Sequence, residues 1–409
     1  MKFDESSLYN IKSSLNGKRC SLFDLAVWKN GLAFKKIHFS EIGVPVIKIA
    51  ELNNGIGGTT AYTQQSFSED VHIQKGDLLF SWSGNPKTSI DIFRFKLDEG
   101  WLNQHIFKVN PNETLVDTDY FYFLMKNLKQ HFTQIATNKQ TTGLGHVTIS
   151  DIKRMSVIVP SLKIQRAIVS YIKPIDDKIE LNNEINNNLE QQIEMVLLKT
   201  INDTDTQPVK LGDYLYIKGR IGWKGLKKSE YLPISNYRII NGESLTLSGI
   251  DWNKAGYISA ERYEESPEIM LSIGDILLSK DGTIGKIGYV DKLDAPTSVA
   301  SGIFVIRNTR QSEISTQFIY YLLKSKLFKA FIASRTEGSV IPHLYQKDFM
   351  EFEFQLPSPD DMKIFDDTTA DMFSLVFSNL NENERLIHLR DSLLPKLMSG
   401  ELDVSDTDI

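Results

Sequence analysis

The chain carries an internal repeat, and this repeat limits the folds that it can adopt. GDLLFSWSG at Gly76 returns as GDILLSKDG at Gly274, and YFYFLMK at Tyr120 returns as FIYYLLK at Phe318, both 198 residues later. HVTISDI and VPS return 197 residues later as HLYQKDF and LPS, and LFDLAVWKNG resembles LGDYLYIKGR at an offset of 189. Matching blocks in one order predict two similar domains rather than one large core.

Each copy mixes the periodicities of strands and helices. DLLFSW, VIKIA, IFKVN and MSVIVP are short apolar runs bounded by Gly, Asn and Pro, which is typical of strands. DYFYFLMKNLKQHF and TQFIYYLLKSKLFKAFIA carry apolar residues at helical spacing. The predicted fold class is therefore α+β, with two tandem pseudo-symmetric domains.

A heptad pattern follows each copy and predicts a long helix. The apolar positions Ile168, Ile172, Ile175 and Ile179 step by 4, 3 and 4, and the same register recurs 197 residues later. Each pattern contains two asparagines at core positions: Asn182, Asn186, Asn379 and Asn383. A core asparagine costs stability but specifies the register of a coiled coil, so these four residues are predicted to align the two helices.

We expect the two helices to form an antiparallel coiled coil between the domains. Partner numbers that sum to 565 place Asn182 opposite Asn383 and Asn186 opposite Asn379. A parallel pairing would also match asparagines, but each helix begins at its own domain, which favours the antiparallel arrangement. Alternatively, the second helix projects from the chain and mediates homodimerisation.

Two prolines and one glycine predict local features of these helices. Pro174 predicts a kink or a break with a new helix starting nearby, and Pro395 predicts a bend. Ser399 and Gly400 are expected to end the second helix. The predicted boundaries are an N-terminal arm at 1–20, a first domain at 21–161, a central helix at 162–202, a second domain at 203–358, a C-terminal helix at 359–402 and an acidic tail at 403–409.

The distribution of charge permits a nucleic-acid partner although the whole chain is acidic. The net charge is −6, but the last 50 residues carry −8 and the remainder +2.

The length of the predicted spacer is comparable with the repeat of DNA. The heptad pattern after the first copy spans roughly 48 Å at about 1.5 Å per residue, against roughly 34–36 Å for one turn of DNA. Two similar domains on such a spacer are suited to reading two separated DNA half-sites.

Basic residues on glycine-containing loops are candidates for phosphate contact. They are Lys29, Lys35 and Lys36 in the first copy, and Lys218, Arg220, Lys224, Lys227 and Lys228 in the second. Solvated loop charge is the alternative interpretation of each of them.

The turns after the matched strands, together with the polar loops before each closing strand, are candidates for base reading. The copies agree before these turns and diverge within them, as expected when one scaffold reads two sequences. The turn residues are Trp82, Ser83, Asn85 and Lys87 in the first copy, and Lys280, Asp281, Thr283 and Lys286 in the second. The loop residues are Lys139, Thr141, Thr142, Arg335, Ser339 and His343. Ordinary surface turns are the alternative.

No catalytic or metal site is predicted. His146 and His343 recur one per copy without acidic residues or cysteine at ligand spacing. The chain has no GxxxxGK[ST], GxSxG or HExxH motif. With one cysteine, Cys20, and no signal peptide or long apolar stretch, we expect a cytoplasmic protein.

Several motifs resemble those of the specificity subunit of type I restriction-modification systems. VPSLKIQRAIVSYI with DDKIELNNEINNNLEQQIEMVL resembles the central spacer of that family, and GDILLSKDGTIGKIG with SVIPHLYQKDFMEFEFQLPSP resembles its target-recognition domain. LRDSLLPKLMSGEL is similar to its C-terminal signature.

The resemblance implies a non-catalytic DNA-binding subunit. Each target-recognition domain would read one half of a split, asymmetric sequence, with unread base pairs under the spacer. The partners would be two methyltransferase subunits, which use S-adenosylmethionine to methylate adenine, and restriction (motor-endonuclease) subunits that use ATP and Mg. No cofactor is expected on this chain. The alternative is a non-enzymatic coiled-coil scaffold whose twin domains bind proteins or small ligands.

Overall fold

The chain divides into two compact units, each of which holds one copy of the repeat. The computed structural model describes residues 8–140, 143–203, 206–220, 225–336 and 343–404. The first unit combines the residues up to 179 with those from 385 onward, and the second unit comprises 180–384. Each unit therefore contains part of two long helices.

The first unit is built from short strands and helices in the predicted mixture. Its strands are β1 (Gly17–Ser21), β2 (Ala26–Asn30), β3 (Val44–Ile47), β4 (Tyr62–Thr63), β5 (His72–Gln74), β6 (Leu78–Ser81), β7 (Ser83–Gly84), β8 (Asp91–Arg94), β9 (Glu99–Leu102), β10 (Ile106–Pro111), β11 (Gly145–His146) and β12 (Ser156–Pro160). Its helices are α1 (Ile49–Asn54), α2 (Thr118–Asn127), α3 (Lys129–Asn138), α4 (Ile149–Arg154) and the first part of α5 (Leu162–Asn202). Short 3-10 helices cover Leu22–Leu25, Lys36–His38 and Glu69–Val71.

The second unit repeats this arrangement. Its strands are β13 (Pro208–Lys210), β14 (Leu215–Gly219), β15 (Tyr237–Ile240), β16 (Leu245–Thr246), β17 (Gly249–Ile250), β18 (Gly256–Ile258), β19 (Ile276–Ser279), β20 (Ile287–Tyr289), β21 (Thr297–Val299), β22 (Ile303–Asn308) and β23 (Glu353–Gln355). Its helices are α6 (Ala260–Glu264), α7 (Thr316–Lys324), α8 (Lys326–Thr336), α9 (Gln346–Met350) and most of α10 (Pro359–Ser399). Its 3-10 helices are Leu211–Tyr214, Lys228–Glu230, Trp252–Lys254 and Pro267–Ile269.

The two units share their sheet topology, which confirms the predicted pseudo-symmetry. A four-stranded antiparallel sheet has the order β2-β10-β6-β8 in the first unit and β14-β22-β19-β20 in the second. A second sheet pairs β3 with β9 in parallel, and β15 pairs with β21 in the same way. The first and last strands of each copy also pair, β1 with β12 and β13 with β23.

An aromatic core lies between the antiparallel sheet and the helices in each unit. Phe80 on β6, Phe121 on α2 and Phe132 on α3 are almost completely buried in the first unit. Phe318 and Phe328 are buried in the corresponding helices of the second. Burying each such ring contributes about 1.5–3 kcal/mol, so the recurring aromatic positions stabilise the same fold twice.

The long helices pair antiparallel within each unit. In the first unit, Ile168 and Ile172 share a core with Leu397. In the second, Asn182 contacts Asn383 and Asn186 contacts Asn379. Residue numbers rise on one helix as they fall on the other, so the predicted register is confirmed. The C-terminal helix packs on α5 of its own chain, so the alternative in which it projects from the chain is wrong.

Three local predictions differ from the structure. No new helix starts near Pro174, because α5 runs from Leu162 to Asn202 with the proline inside it. A proline removes one backbone hydrogen bond of the helix. Packing of the apolar heptad positions of α5 compensates for this loss and keeps the helix continuous. DYFYFLMKNLKQHF forms two helices that are separated at Leu128, and TQFIYYLLKSKLFKAFIA forms two that are separated at Ser325. VIKIA was expected to be a strand, yet Ile49 already begins α1.

The described residues of the predicted N-terminal arm, 8–20, pack into the first unit. Leu8 and Tyr9 are buried in its core, and β1 pairs along β12. The backbone N–H of Ser14 donates to the carbonyl of Ser399 at 2.7 Å. This segment therefore satisfies the C-terminal end of α10, where orphan carbonyls need partners, and Gly400 ends the helix as predicted.

Candidate nucleic-acid interface

The structure brings the two candidate segments of the first unit together. The turn after β6 forms β7, which pairs with β11 so that Ser83 lies opposite His146. The backbone N–H of Val147 donates to the carbonyl of Trp82 at 2.8 Å, and the N–H of Trp82 donates to the carbonyl of His105 at 3.2 Å. The predicted turn and the predicted loop are thus one surface.

We call the backbone arrangement of Trp82, Ser83, His146 and Val147 the first frame. The second unit builds the same arrangement, the second frame, from the corresponding residues. Asp281 and His343 form an antiparallel bridge. The N–H of Leu344 donates to the carbonyl of Lys280 at 3.0 Å, and the N–H of Lys280 donates to the carbonyl of Gly302 at 2.9 Å. The two backbone hydrogen bonds of Trp82 thus recur at Lys280, while the side chains that the two frames present differ.

The tryptophan of the first frame is mainly structural. Trp82 stacks on Phe107 with ring centroids 5.6 Å apart, and its Nε1 donates to Oδ1 of Asn30 at 3.1 Å. Ser83 is buried, whereas Asn85 and Lys87 are exposed at the tip of the turn. The exposed chemistry of this turn is therefore an amide and an ammonium group.

Histidines lie beside the tryptophan of the first frame. Trp82 contacts His105 and His146 with ring centroids 5.5 Å and 6.0 Å apart. Burial lowers the pKa of His105, and the nearby His146 lowers that pKa further. Two adjacent imidazolium ions would repel, so this cluster favours at least one neutral ring.

Charged groups are closer together in the second frame. Nδ1 of His343 contacts Oδ1 of Asp281, and Nζ of Lys280 lies 3.2 Å from the other carboxylate oxygen. Thr283 is exposed. Lys286 donates to the carbonyl of Gly242 at 2.8 Å, and burial lowers the pKa of its ammonium group.

Several candidate phosphate-binding lysines are exposed. Lys35 and Lys36 begin a short 3-10 turn in the first unit, and Lys218, Lys227 and Lys228 are exposed in the second. Lys29 pairs with Asp70. Arg335 is exposed at the end of α8 with its guanidinium over the Phe331 ring.

Arg220 does not fit a phosphate-binding role, because its side chain is buried. The residue is 3% exposed, and its guanidinium donates to the carbonyl of Val299 at 3.2 Å and to Oγ of Ser298 at 3.3 Å. Burial lowers the pKa of Arg220, and Arg262 nearby lowers it further. These donors hold the second unit together instead of facing solvent.

Lys139 is exposed, but its ammonium group is paired with a carboxylate of its own unit. Its Nζ lies 2.6 Å from Oδ2 of Asp151, which is 1% exposed. Burial raises the pKa of Asp151, but hydrogen bonds from Lys139, Thr148 and Tyr9 outweigh burial and leave the pKa below its ordinary value. The predicted loop residues Thr141, Thr142, Lys224 and Ser339 lie outside the described residues.

Sequence reasoning missed Asn30 and Tyr345. Asn30, the last residue of β2, orients Trp82 through its side chain. Tyr345 is exposed and contacts the His343 ring edge-on at 4.5 Å between centroids. Aromatic character two residues after His343 could have suggested Tyr345, whereas the role of Asn30 depends on strand pairing alone.

Across the described ranges, no group of three or more His, Cys, Asp or Glu residues is placed to hold a metal ion. Nor does any helix in the same ranges have the length and apolar character required to cross a membrane.

The chain is a tandem repeat of one α+β domain in which each copy ends in a long helix, and this organisation is found in known proteins. The family model of the type I restriction modification DNA specificity domain matches residues 18–191 and again 204–387. The chain therefore belongs to this family and carries two copies of its domain, one for each half of the repeat.

Known relatives extend over most of the chain. The specificity subunit of the type I restriction enzyme MjaVIII of Methanocaldococcus jannaschii is 21% identical over 362 residues, covering 83% of this chain and 82% of that protein. The HindI specificity subunit of Haemophilus influenzae is 22% identical and covers 81% and 87% respectively. The crystal structure of a type I S subunit from M. genitalium shares the fold, with a TM-score of 0.52, 17% identity and coverage of 95% and 97%.

Proposed function

We propose that this chain is the DNA sequence-specificity subunit of a type I restriction-modification complex, in which each domain reads one half of a bipartite, asymmetric DNA site. The observation that carries the proposal is the repeated backbone frame. Trp82 and Lys280 have the same hydrogen bonds in the two units, yet the side chains around them differ. One scaffold with two sets of donors and acceptors is what two unlike half-sites require.

Affinity for DNA comes from exposed lysines in each unit. Lys35 and Lys36 in the first unit, and Lys227 and Lys228 in the second, are exposed. Contacts from ammonium groups to phosphates release counterions, which makes binding fall steeply with salt. Base reading comes from the turn and loop side chains.

The two long helices set the gap between the half-sites. Their central asparagines specify one register, because each buried amide needs its partner. In this proposal a fixed register gives a fixed number of unread base pairs.

The catalytic steps belong to partner subunits. Two methyltransferase subunits that bind S-adenosylmethionine dock on the helices and outer domain faces and methylate adenine in each half-site. Restriction subunits that use ATP and Mg cleave DNA, and the complex acts in the cytoplasm. The family membership and the extended likeness to specificity subunits support these roles.

The experiment that tests the proposal is single-molecule sequencing of methylated bases in genomic DNA from the source cells, with and without this gene. We expect a split adenine-methylated motif that disappears on deletion and returns on complementation. An unchanged methylation pattern in cells that express the partner subunits would contradict the proposal.

A second experiment tests the role of the helices as a spacer. Inserting one helical turn near Asn182 should lengthen the unread gap while leaving both half-sites unchanged. If the motif keeps its original gap, the helices do not set the spacing.

A further inference from the structure

We propose that Asp281 is a specificity-determining residue that accepts a hydrogen bond from the N4 amino group of a cytosine, and that His343 is the positioning residue for its carboxylate. This inference rests on the proposed function and assigns one base contact within it. It starts from the contrast between Asp281 in the second frame and Ser83 at the equivalent position of the first.

Asp281 is presented to solvent by a backbone that is fixed on both sides. Asp281 forms a backbone bridge with His343. The preceding residue, Lys280, forms backbone hydrogen bonds with Gly302 and Leu344. The Asp281 side chain is 43% exposed. By contrast, Ser83 is 6% exposed in the first unit, so at this one position the side chain is open to a base in the second unit and not in the first.

The carboxylate is oriented and partly neutralised by its neighbours. Nδ1 of His343 contacts Oδ1, while Nζ of Lys280 lies 3.2 Å from Oδ2. Tyr345 packs edge-on against the His343 ring. A carboxylate on a DNA-facing surface is repelled by phosphates, and the lysine reduces this repulsion.

The chemistry of a carboxylate selects the base. An ionised carboxylate accepts hydrogen bonds and donates none, and its two oxygens have about four acceptor positions in total. His343 and Lys280 each contact one carboxylate oxygen of Asp281, and they leave the remaining acceptor positions available to a base. In the major groove cytosine presents the N4 amino donor, whereas adenine places its N7 acceptor beside its N6 donor, and guanine and thymine present acceptors that a carboxylate repels.

The test replaces the chromosomal gene with variants and determines the methylated motif by single-molecule sequencing. In Asp281→Asn, one C·G position in one half-site should lose discrimination by about tenfold or more, while the other half-site stays unchanged. His343→Ala should relax the same position. His343→Asn, whose amide can replace Nδ1 as a donor to the carboxylate, should restore selectivity.

Asp294→Asn is the matched control, because it makes the same chemical change at an exposed carboxylate of the second unit outside the frame. It should leave the motif as in the wild type. Reduced methylation by Asp281→Asn with every base of the motif retained would overturn the inference and assign Asp281 a structural or phosphate-facing role. If the wild-type gene itself produces no motif, the proposed function fails instead. Continued methylation in the variants shows that they fold.

Discussion

Asn182 and Asn383 form a buried hydrogen bond between the two long helices of the second unit, with Nδ2 of Asn182 donating to Oδ1 of Asn383 at 2.9 Å. Nδ2 of Asn383 in turn donates to Asn183, and Asn379 donates to Asn186 at 2.8 Å. Asn182 is completely buried. A polar layer of this kind specifies alignment, because shifting either helix leaves amides buried without partners.

Replacing one member of this layer should destabilise the second unit. Asn182→Leu leaves the buried Oδ1 of Asn383 without its donor and should cost about 1–3 kcal/mol. Urea unfolding of the full chain measures the change. The double variant Asn182→Leu and Asn383→Leu should recover part of the loss, and additive losses would show that the two residues are not coupled.

Asp151 should make the stability of the first unit depend on acid pH. The pKa of its carboxyl is lower in the folded chain than the ordinary value of 3.8. A lowered folded pKa stabilises the protein above the unfolded pKa, and this contribution is lost as pH falls through the folded pKa. Thermal unfolding between pH 7 and pH 3 should therefore show a difference between wild type and Asp151→Asn that narrows below about pH 4. A constant difference would contradict this.

Gly400 should be intolerant of any side chain, for two separable reasons. Its φ is +76°, and a Cβ would lie 2.8 Å from Oγ of Ser14 and 2.9 Å from N of Leu15. Gly400→Ala should cost about 1–2 kcal/mol from the backbone alone, plus the displacement of Ser14. Asparagine adopts positive φ more readily, so Gly400→Asn separates the causes. Full recovery of the melting temperature by Asn would exclude a contribution from the steric clash.

Lys227 and Lys228 should contribute to DNA affinity without contributing to sequence preference. Changing both to Ala should weaken binding of target and unrelated duplexes alike, and should lower the salt slope by about 0.9 for each phosphate that the variant no longer neutralises. Lys254→Ala, a lysine of the same unit paired with Asp251, is the control. The measurement is DNA binding by the assembled complex across a salt series, and an unchanged slope in the double variant would remove these lysines from the interface.

Arg220→Met should have the opposite effects to the lysine double variant: it should change the stability of the protein and not the salt dependence of DNA binding. The carbonyl of Val299 and the hydroxyl of Ser298 lose buried donors, so the variant should be less stable by about 1–3 kcal/mol. Its salt slope for DNA should remain that of the wild type, because the guanidinium does not face solvent. A reduced slope at unchanged stability would assign Arg220 to the phosphate surface.

The sequence by itself determined the duplication, the α+β class and the register of the long helices. These features follow from repetition and periodicity, which can be recognised in the sequence without knowing how the loops pack. The contact between Asn182 and Asn383 could be predicted from the sequence, because a heptad pattern specifies which positions of two paired helices meet.

Only the tertiary structure decided which candidate site residues face solvent. Arg220 and Lys139 occur in polar loop sequences like those of Lys35 and Lys227, yet Arg220 is buried and Lys139 is paired with a buried carboxylate. The burial of Arg220 and the ion pair of Lys139 depend on Ser298, Val299 and Asp151, which approach them through folding of the surrounding chain. That the turn at Trp82 and the loop at His146 form one surface likewise depends on backbone hydrogen bonds between segments far apart in the chain. Periodicity specifies neighbours along a helix or strand, whereas the exposure of a loop residue depends on distant segments that pack over it.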